Sequence, residues 1–316
     1  MVKRQIKLLR IRDLTHLAKH LGTSPDELDK ICLNIESHPS KYYFCWEKKT
    51  KKGKVRPMVN VYGRLRNVLD RLNRLLQRIE LPPYVHGGVP GHSTITNALP
   101  HRAQPLLLSV DIEKHFPNVR PIKVYSMFVN QQQCSPDVAR VLTRLTTLDG
   151  SLPQGYPTSP AISNLVTLNL SKRLHGFAEA RHCECTQYID DYNFSGDKRF
   201  ASSKNKVLGI ITQEGFKVNP SKTKVMKGDD EKVVTGIKVN TRHLDVPKDT
   251  MKKTRAAFLE LKGKIQRGYP MSDKQIRSVE GKIRYISSFN RGAGKFLYKQ
   301  FRATIITGNS RFSPPK

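Results

Sequence analysis

The stretch QYIDDYNFSG, residues 187–196, sets Asp190 and Asp191 side by side in a short apolar run, with Tyr188 and Tyr192 on its flanks. Adjacent carboxylates repel each other, and neither a helix cap nor a surface ion pair gains anything from the adjacency. A bound divalent cation would offset the repulsion, and hard oxygen ligands suit Mg²⁺. A third carboxylate, Asp111, closes the apolar strand pattern PLLLSVD at 105–111. Strand ends and tight turns hold side chains rigidly, as metal ligation requires. Two such ions can keep an attacking hydroxyl and a leaving phosphate in line. Three aspartates from two separate loops therefore fit phosphoryl or nucleotidyl transfer. The plainer alternative for each acid taken alone is a cap or a pairing with a nearby lysine.

LPQGYPTSPAISNLV, residues 152–166, has a turn at Pro153-Gln154-Gly155 and a helix start near Ser159-Pro160. Gly155 permits close backbone approach, Gln154 can hydrogen-bond a base or sugar, and a helix N-terminus favours an anion. By itself this is equally a plain loop-to-helix junction. The partner class follows from charge. In 316 residues, 56 Lys+Arg stand against 26 Asp+Glu, a formal balance of +30. Such a chain expects a polyanion, and nucleic acid fits better than a membrane surface because no apolar run reaches membrane-spanning length. The start, MVKRQIKLLRIRDL, interrupts every apolar run with charge and does not read as a secretory signal. Five scattered cysteines fit reduced thiols and a cytoplasmic location.

The elements that must position these groups read as an α+β chain. Ile6, Leu9, Leu14, Leu17 and Leu21 predict a helix over 5–21, and Ser24-Pro25-Asp26-Glu27 predicts a capped second helix to about Ile35. Strands at 42–47 and 55–61 flank the basic turn KKTKKGK, and Leu65, Leu69, Leu72, Leu76 and Ile79 form one face of the next helix. Arginines occupy the opposite face, either as a solvated surface or as phosphate contacts. Pro82, Pro83 and Gly87, Gly88 and Gly91 mark a loop before the strand at 105–111. Helices are expected near 121–132, 136–147, 160–180 and 199–214, with a hairpin at 187–196 and strands near 217 and 233–239. From Pro247 to about 306 the pattern is helical with a break at Gly268-Tyr269-Pro270.

The order VDIEKHF, LPQGYPTSPAI, YIDD, GFKVNPSKT resembles motifs A to D of a reverse transcriptase, over roughly residues 40 to 300. NALPH (97–101) and VVTGIKVN (233–240) resemble the bacterial retron type in particular. Many bacterial relatives have Ala where this chain has Ile189. The resemblance implies a right-hand polymerase: fingers in 1–105, a palm of antiparallel sheet with helices in 106–247 carrying motifs A to E, and a helical thumb in 248–316. It implies that Asp111, Asp190 and Asp191 hold two Mg²⁺ ions, with Mn²⁺ as a substitute and the main chain of Ile112 beside them. Phe116 matches the residue that excludes a ribonucleotide 2′-hydroxyl. Gln154 matches a contact to the nucleotide sugar and template, Lys54 and Arg56 the triphosphate clamp, and Lys222 the proton donor to pyrophosphate. Asn97, His101, Val234, Thr235 and Gly236 are expected to contact RNA.

On the same resemblance the substrates are dNTPs and a cognate structured non-coding RNA (msr-msd). The product is multicopy single-stranded DNA (msDNA), primed from the 2′-hydroxyl of an internal guanosine to give a branched RNA–DNA. A retron effector protein and a role in anti-phage defence are implied as well. The acids after Pro247 are too few for an RNase H domain, so template removal is expected to fall to a host RNase H. Other readings are a group II intron-like or diversity-generating reverse transcriptase, an RNA-dependent RNA polymerase, and a non-catalytic RNA-binding palm scaffold. RHCEC (181–185) lacks a second ligand pair for zinc, and RGAGKF (291–296) lacks the spacing of a phosphate loop.

Overall fold

A computed structural model describes residues 6–49, 53 and 55–311, with side chains to residue 306. Helix α1 (Leu14–Leu21) is shorter than its apolar spacing predicts. The Asp13 side chain accepts from the His16 amide at 2.7 Å and caps the helix there. Upstream, the chain is held by distant partners instead. Ile6 N donates to Arg78 O, Glu80 N to Ile6 O, and Arg10 N to Gln132 O, at 2.9–3.0 Å. Ile6 and Leu9 still pack on the core, so the apolar pattern marked burial correctly and helicity wrongly. Helix α2 (Pro25–Ser37) starts as expected, with the Ser24 hydroxyl accepting from Glu27 N.

Strands β1 (Tyr43–Lys49) and β2 (Val55–Val61) pair antiparallel with Tyr43 opposite Val61 and Lys48 opposite Arg56. Helix α3 (Gly63–Leu76) buries Leu65, Leu69, Leu72 and Leu76 as predicted and packs on α1. Helix α4 (Thr94–Ala98) follows, closed at its start by a reciprocal Ser93–Thr96 capping box.

The palm is built on β3 (Leu106–Asp111), buried at five of its six positions. Helices α5 (His115–Asn118), α6 (Pro121–Ser126), α7 (Pro136–Thr146), α8 (Ser159–Val166) and α9 (Leu168–Glu179) come next. The helix expected over 121–132 passes into a π turn at Met127–Gln131. The one expected over 160–180 breaks at Thr167, whose hydroxyl bonds back to Ser163 O at 2.9 Å and bends the chain. Strands β4 (Glu184–Tyr188) and β5 (Asp191–Gly196) form the expected hairpin. A 3₁₀ turn at Lys198–Ser203 precedes α10 (Lys204–Gln213), and β6 (Lys224–Lys227) completes the sheet in the order β4-β5-β3-β6, all antiparallel. The strand predicted near 217 is only a bridge between Val218 and Ile112.

Strands β7 (Val233–Val234) and β8 (Ile237–Lys238) are joined by Thr235-Gly236, both at positive φ (46° and 81°), as a type I′ hairpin demands. Among the described residues the C-terminal part contains α11 (Lys248–Gln266), α12 (Asp273–Ser287) and α13 (Arg291–Arg311) around a separate core that includes Phe258, Ile283 and Phe301. The sequence pattern showed the first interruption and missed the second, at Ser288–Asn290. There Asn290 Nδ2 donates to Asp245 Oδ1 at 2.7 Å while its own Oδ1 accepts from Ala293 N. Gly294 then sits on Ser287: a Cβ added to it would fall 2.4 Å from that residue's Cα. Gly294→Ala should lower stability in denaturant unfolding by about 1–3 kcal/mol through overpacking. Gly292→Ala, whose Cβ would meet nothing closer than 3.8 Å, should not.

Candidate active site

The end of β3 and the β4–β5 turn bring the three aspartates together. Register places Asp111 directly opposite Asp191, while Asp190 occupies the turn between β4 and β5. Backbone bonds strap the assembly: Ile112 N to Asp190 O at 2.9 Å, Asn219 N to Asp111 O at 2.8 Å, and Glu113 N to Lys217 O at 2.8 Å. The turn is strained. Ile189 sits at φ 59°, left-handed space that a β-branched side chain enters only at a cost of about 1–3 kcal/mol.

Surrounding groups hold it there. Gln187 Nε2 donates to Ile189 O at 3.1 Å and to Thr167 Oγ1 at 3.1 Å, and Gln187 Oε1 accepts from Ser171 Oγ. Gly87 lies against the turn, where a Cβ would come within 2.5 Å of Ile189 N, and its carbonyl accepts from Asn164 Nδ2 at 2.7 Å. Gln187, Ser171, Thr167 and Asn164 were not foreseen from sequence. The available signal was a run of polar residues at inward positions of otherwise apolar elements.

The electrostatics are those of crowded acids. Burial, then the charge of Asp111, raises the Asp190 carboxyl above its usual range; Lys222 and Arg56 pull it back. Burial, then the charges of Asp190 and Asp111, lifts Asp191 to about 7. Lys222 Nζ, half exposed, donates to the buried Asp111 Oδ2 at 2.5 Å. The donor set of three carboxylates suits a hard divalent cation, which would relieve the repulsion that raises them. With Ile112 N committed to Asp190, its carbonyl is the main-chain atom that remains for such an ion. Among the described residues no three acidic, histidine or cysteine side chains already converge as a metal cage, and Asp111 is turned onto Lys222.

Of the expected nucleotide contacts, Lys54 lies outside the described residues. Arg56 is exposed on β2, close enough to influence Asp190. Gln154 is half-buried, and its carbonyl accepts from Val59 N at 2.8 Å, tying the 152–158 loop to β2. Gly155 at φ 123° lies so close to Val59 O that a Cβ would come within 2.1 Å of it. Phe116 is half-buried at the edge of the His115 ring, with centroids 5.7 Å apart. His115 is itself buried between Phe216 and Ser163, with Nε2 at 2.5 Å from the Ser163 hydroxyl. This support of Phe116 was also not apparent from sequence.

The expected RNA contacts need correction. NALPH and the VTG turn do meet: Thr235 Oγ1 donates to Thr94 O at 3.1 Å, and Asn97 Nδ2 faces Thr235 Oγ1 at 3.5 Å. Yet Asn97, His101 and Val234 are each 0% exposed, so their side chains cannot touch RNA in this conformation. Val234 fills a small cluster with Ala98, Leu107 and Ile237. His101 points the other way and bridges Ser195 Oγ (2.6 Å) and Thr186 Oγ1 (2.8 Å) under the palm sheet. Thr235 is half-buried, and only Gly236 of this set is exposed. Burial inside a polar-looking motif is invisible to local pattern because its partners lie 85–141 residues away. Cys183 and Cys185 are buried free thiols on the way into the hairpin.

With this geometry in view, comparison with known families is decisive. Residues 47–259 match the profile of "Reverse transcriptase (RNA-dependent DNA polymerase)". The chain belongs to the reverse transcriptase family. Its mixed sheet-and-helix architecture agrees with the α+β polymerase fold expected from sequence. Similar curated members include the Retron Mx65 reverse transcriptase of Myxococcus xanthus, 31% identical over 71% of this chain and 57% of that protein. The Retron Mx162 reverse transcriptase of the same organism is 27% identical over 93% of this chain and 67% of that protein. This reverse transcriptase chain thus spans about 57–67% of the length of these relatives. A solved foamy viral protease-reverse transcriptase in complex with double-stranded DNA overlays at TM-score 0.43 and 15% identity, over 90% of this chain and 42% of that one. That distance bears no argument. No helix among the described residues is long and apolar enough to cross a membrane.

The buried histidines generate a pH dependence with a defined sign. Burial lowers His101 to about 3 and, with His92 adding to it, His86 to about 4. An unfolded imidazole takes up its proton near pH 6.5, so the unfolded state binds more protons below that point. Stability contributed by these neutral histidines is therefore present above pH 6.5 and is lost as pH falls toward 4. His101→Gln should flatten the acid limb of a stability–pH curve by up to about 1.4 kcal/mol per pH unit. Parallel curves for variant and wild type from pH 7.5 to 4 would show that His101 is not the titrating group.

Proposed function

We propose that this chain is an RNA-directed DNA polymerase of the retron type. The observation that carries the reading is the register that sets Asp111 across from Asp191, with Asp190 held beside them in a strained turn. Asp111, Asp190, Asp191 and the Ile112 carbonyl would hold two Mg²⁺ ions, which when bound supply charge to activate a primer hydroxyl and neutralise a leaving pyrophosphate. The chain's own groups do the rest. Lys222, whose ammonium pairs with Asp111 beside the acids, would hand a proton to the departing pyrophosphate. Arg56 on β2, with Lys54, would clamp the triphosphate. Gln154 meets the sugar and template, and the Phe116 ring occupies the space a 2′-hydroxyl would need.

The fingers, palm and thumb of this reading are residues 1–105, 106–247 and 248–316. The finer assignment rests on NALPH and VTG, which pack together at the junction of palm and thumb, and on the retron names of the relatives. In it the template is a cognate msr-msd RNA and the product a branched msDNA begun at a guanosine 2′-hydroxyl. A host RNase H removes the template, and an effector protein completes an anti-phage system. Because Asn97 is buried against Thr235, its part in specificity is to set the shape of this junction rather than to touch RNA, while the buried His101 braces the sheet through Ser195 and Thr186.

Wild-type protein given Mg²⁺, dNTPs and its cognate transcript should yield cDNA whose junction a debranching enzyme cleaves. Asp190→Ala/Asp191→Ala should abolish that product while RNA retention on a filter stays near normal, since the positive charge lies elsewhere. Undiminished extension by the double variant would sink the catalytic assignment, and an unbranched product made equally from unrelated RNAs would sink the retron one. Phe116→Val should raise ribonucleotide incorporation relative to deoxynucleotides by about 10- to 100-fold, the scale of a pocket contact worth about 1–3 kcal/mol. An unchanged ratio in single-nucleotide extension would make Phe116 a packing residue only.

A further inference from the structure

The arginine face of α3 forms a surface that the catalytic reading does not use. Two depressions share Arg71 and Arg74. One, of about 540 Å³, is lined by Gly22, Thr23, Arg64 and Asn67 as well; the other, of about 310 Å³, by His20, Leu75 and Arg78. The first carries two acids, both already engaged: Glu27 pairs with Arg64 and Asp70 with Arg66. No carboxylate lines the second. Arg71 and Arg74 lie one turn apart on α3, about 4.5 Å along its axis, and Arg78 follows in the turn beyond the helix end, together suited to a short run of phosphates. The field is positive enough that Arg78 and Lys19, after burial and His16, depress the pKa of His20.

The site is also shaped. Gly22 ends α1 at φ 64°, and a Cβ there would come within 1.9 Å of the Arg71 guanidinium, so the glycine makes the opening that Arg71 fills. None of these residues belongs to the catalytic group, and α1 packs on α2, α3 and α7 rather than on the palm sheet. A planar guanidinium fork matches phosphate oxygens better than an ammonium does. A lipid surface fits poorly, because the apolar residues lining the two depressions, Leu21, Ile31, Val68 and Leu75, are all buried.

From this we infer that the α1–α3 arginine surface is a second nucleic-acid site, which grips the phosphodiester backbone of RNA lying outside the polymerase cleft. The inference rests on the RNA-copying reading only for the identity of the strand, and its test is a binding measurement that requires no synthesis. Arg71→Gln/Arg74→Gln would be compared with wild type and with Arg199→Gln, which removes one positive charge at an exposed residue paired to Asp197. The probes are a long structured transcript and a short RNA–DNA primer-template sized to the cleft, each across a salt series, with thermal unfolding to check folding. The double variant should bind the transcript on the order of tenfold more weakly and lose about 0.7 per contact from the slope of log K against log salt. It should hold the short primer-template as wild type does, and Arg199→Gln should alter neither. Equal weakening on both probes, no weakening on either, or loss of binding to anionic phosphatidylserine vesicles in place of RNA would overturn the proposal. Failure of the catalytic reading would appear instead in the Asp190/Asp191 variant and leave these binding curves unchanged.

Discussion

Repulsion among three crowded carboxylates, Asp111 buried and Asp190 and Asp191 half-buried, is the constraint around which the palm is organised. Asp111 and Asp191 are directly opposed on neighbouring strands, where like charges destabilise a sheet, and Asp190 adds a third charge at the turn. Among the described residues Lys222 answers them with a hydrogen-bonded cation, from a half-exposed position. Burial, and after it this repulsion, raises the carboxyl groups at 190 and 191. Such a site lowers the stability of the chain in exchange for a ready place for positive charge, a common relation between activity and stability.

Holding the site takes a buried polar framework. Gln187 links the β4–β5 turn to Thr167 and Ser171, and Asn164 reaches the Gly87 carbonyl behind it. Each member is buried, so its hydrogen bonds must come from the protein, and among the described residues Asn164 Oδ1 finds no partner. The same logic explains the break between α8 and α9. Thr167, at the bend, serves both the helix end and Gln187. Asn164, Thr167 and Ser171 recur at i, i+3 and i+7 on the side of the helical run that faces the Ile189 turn, and the bend at Thr167 falls within that row. Local helix propensity yields here to the geometry of the turn.

Charge is divided between two tasks. Lys222 and, more weakly, Arg56 act on the acids, whereas the α3 arginines and the basic C-terminal helices carry positive charge on other surfaces. The thumb has its own core, and Phe289 packs against both that core and the small cluster formed by Ala98, Val234 and Ile237. The NALPH and VTG segments thus meet where the helical part joins the sheet. A change in their packing would shift the thumb relative to the acids without touching either.

How much of this was open to a reader of the chain alone depends on the range of the forces involved. Apolar periodicity identified α3 and β3, the Ser24-Pro25 cap identified α2, and the ordered motifs identified the three aspartates and the family, because those signals lie within a few neighbouring residues. The same pattern overextended α1, since Ile6 and Leu9 are half-buried against the core and held by distant hydrogen bonds that no local window contains. It also took Asn97 and His101 for surface contacts, although polar side chains can be buried when partners such as Thr235, Ser195 and Thr186 are brought to them. Residue types and spacing determined what chemistry the chain can perform. Tertiary structure alone decided which polar groups face the site, which support it from behind, and that Ile189 is strained. Those outcomes depend on strand register and long-range hydrogen bonds, which only the folded chain establishes.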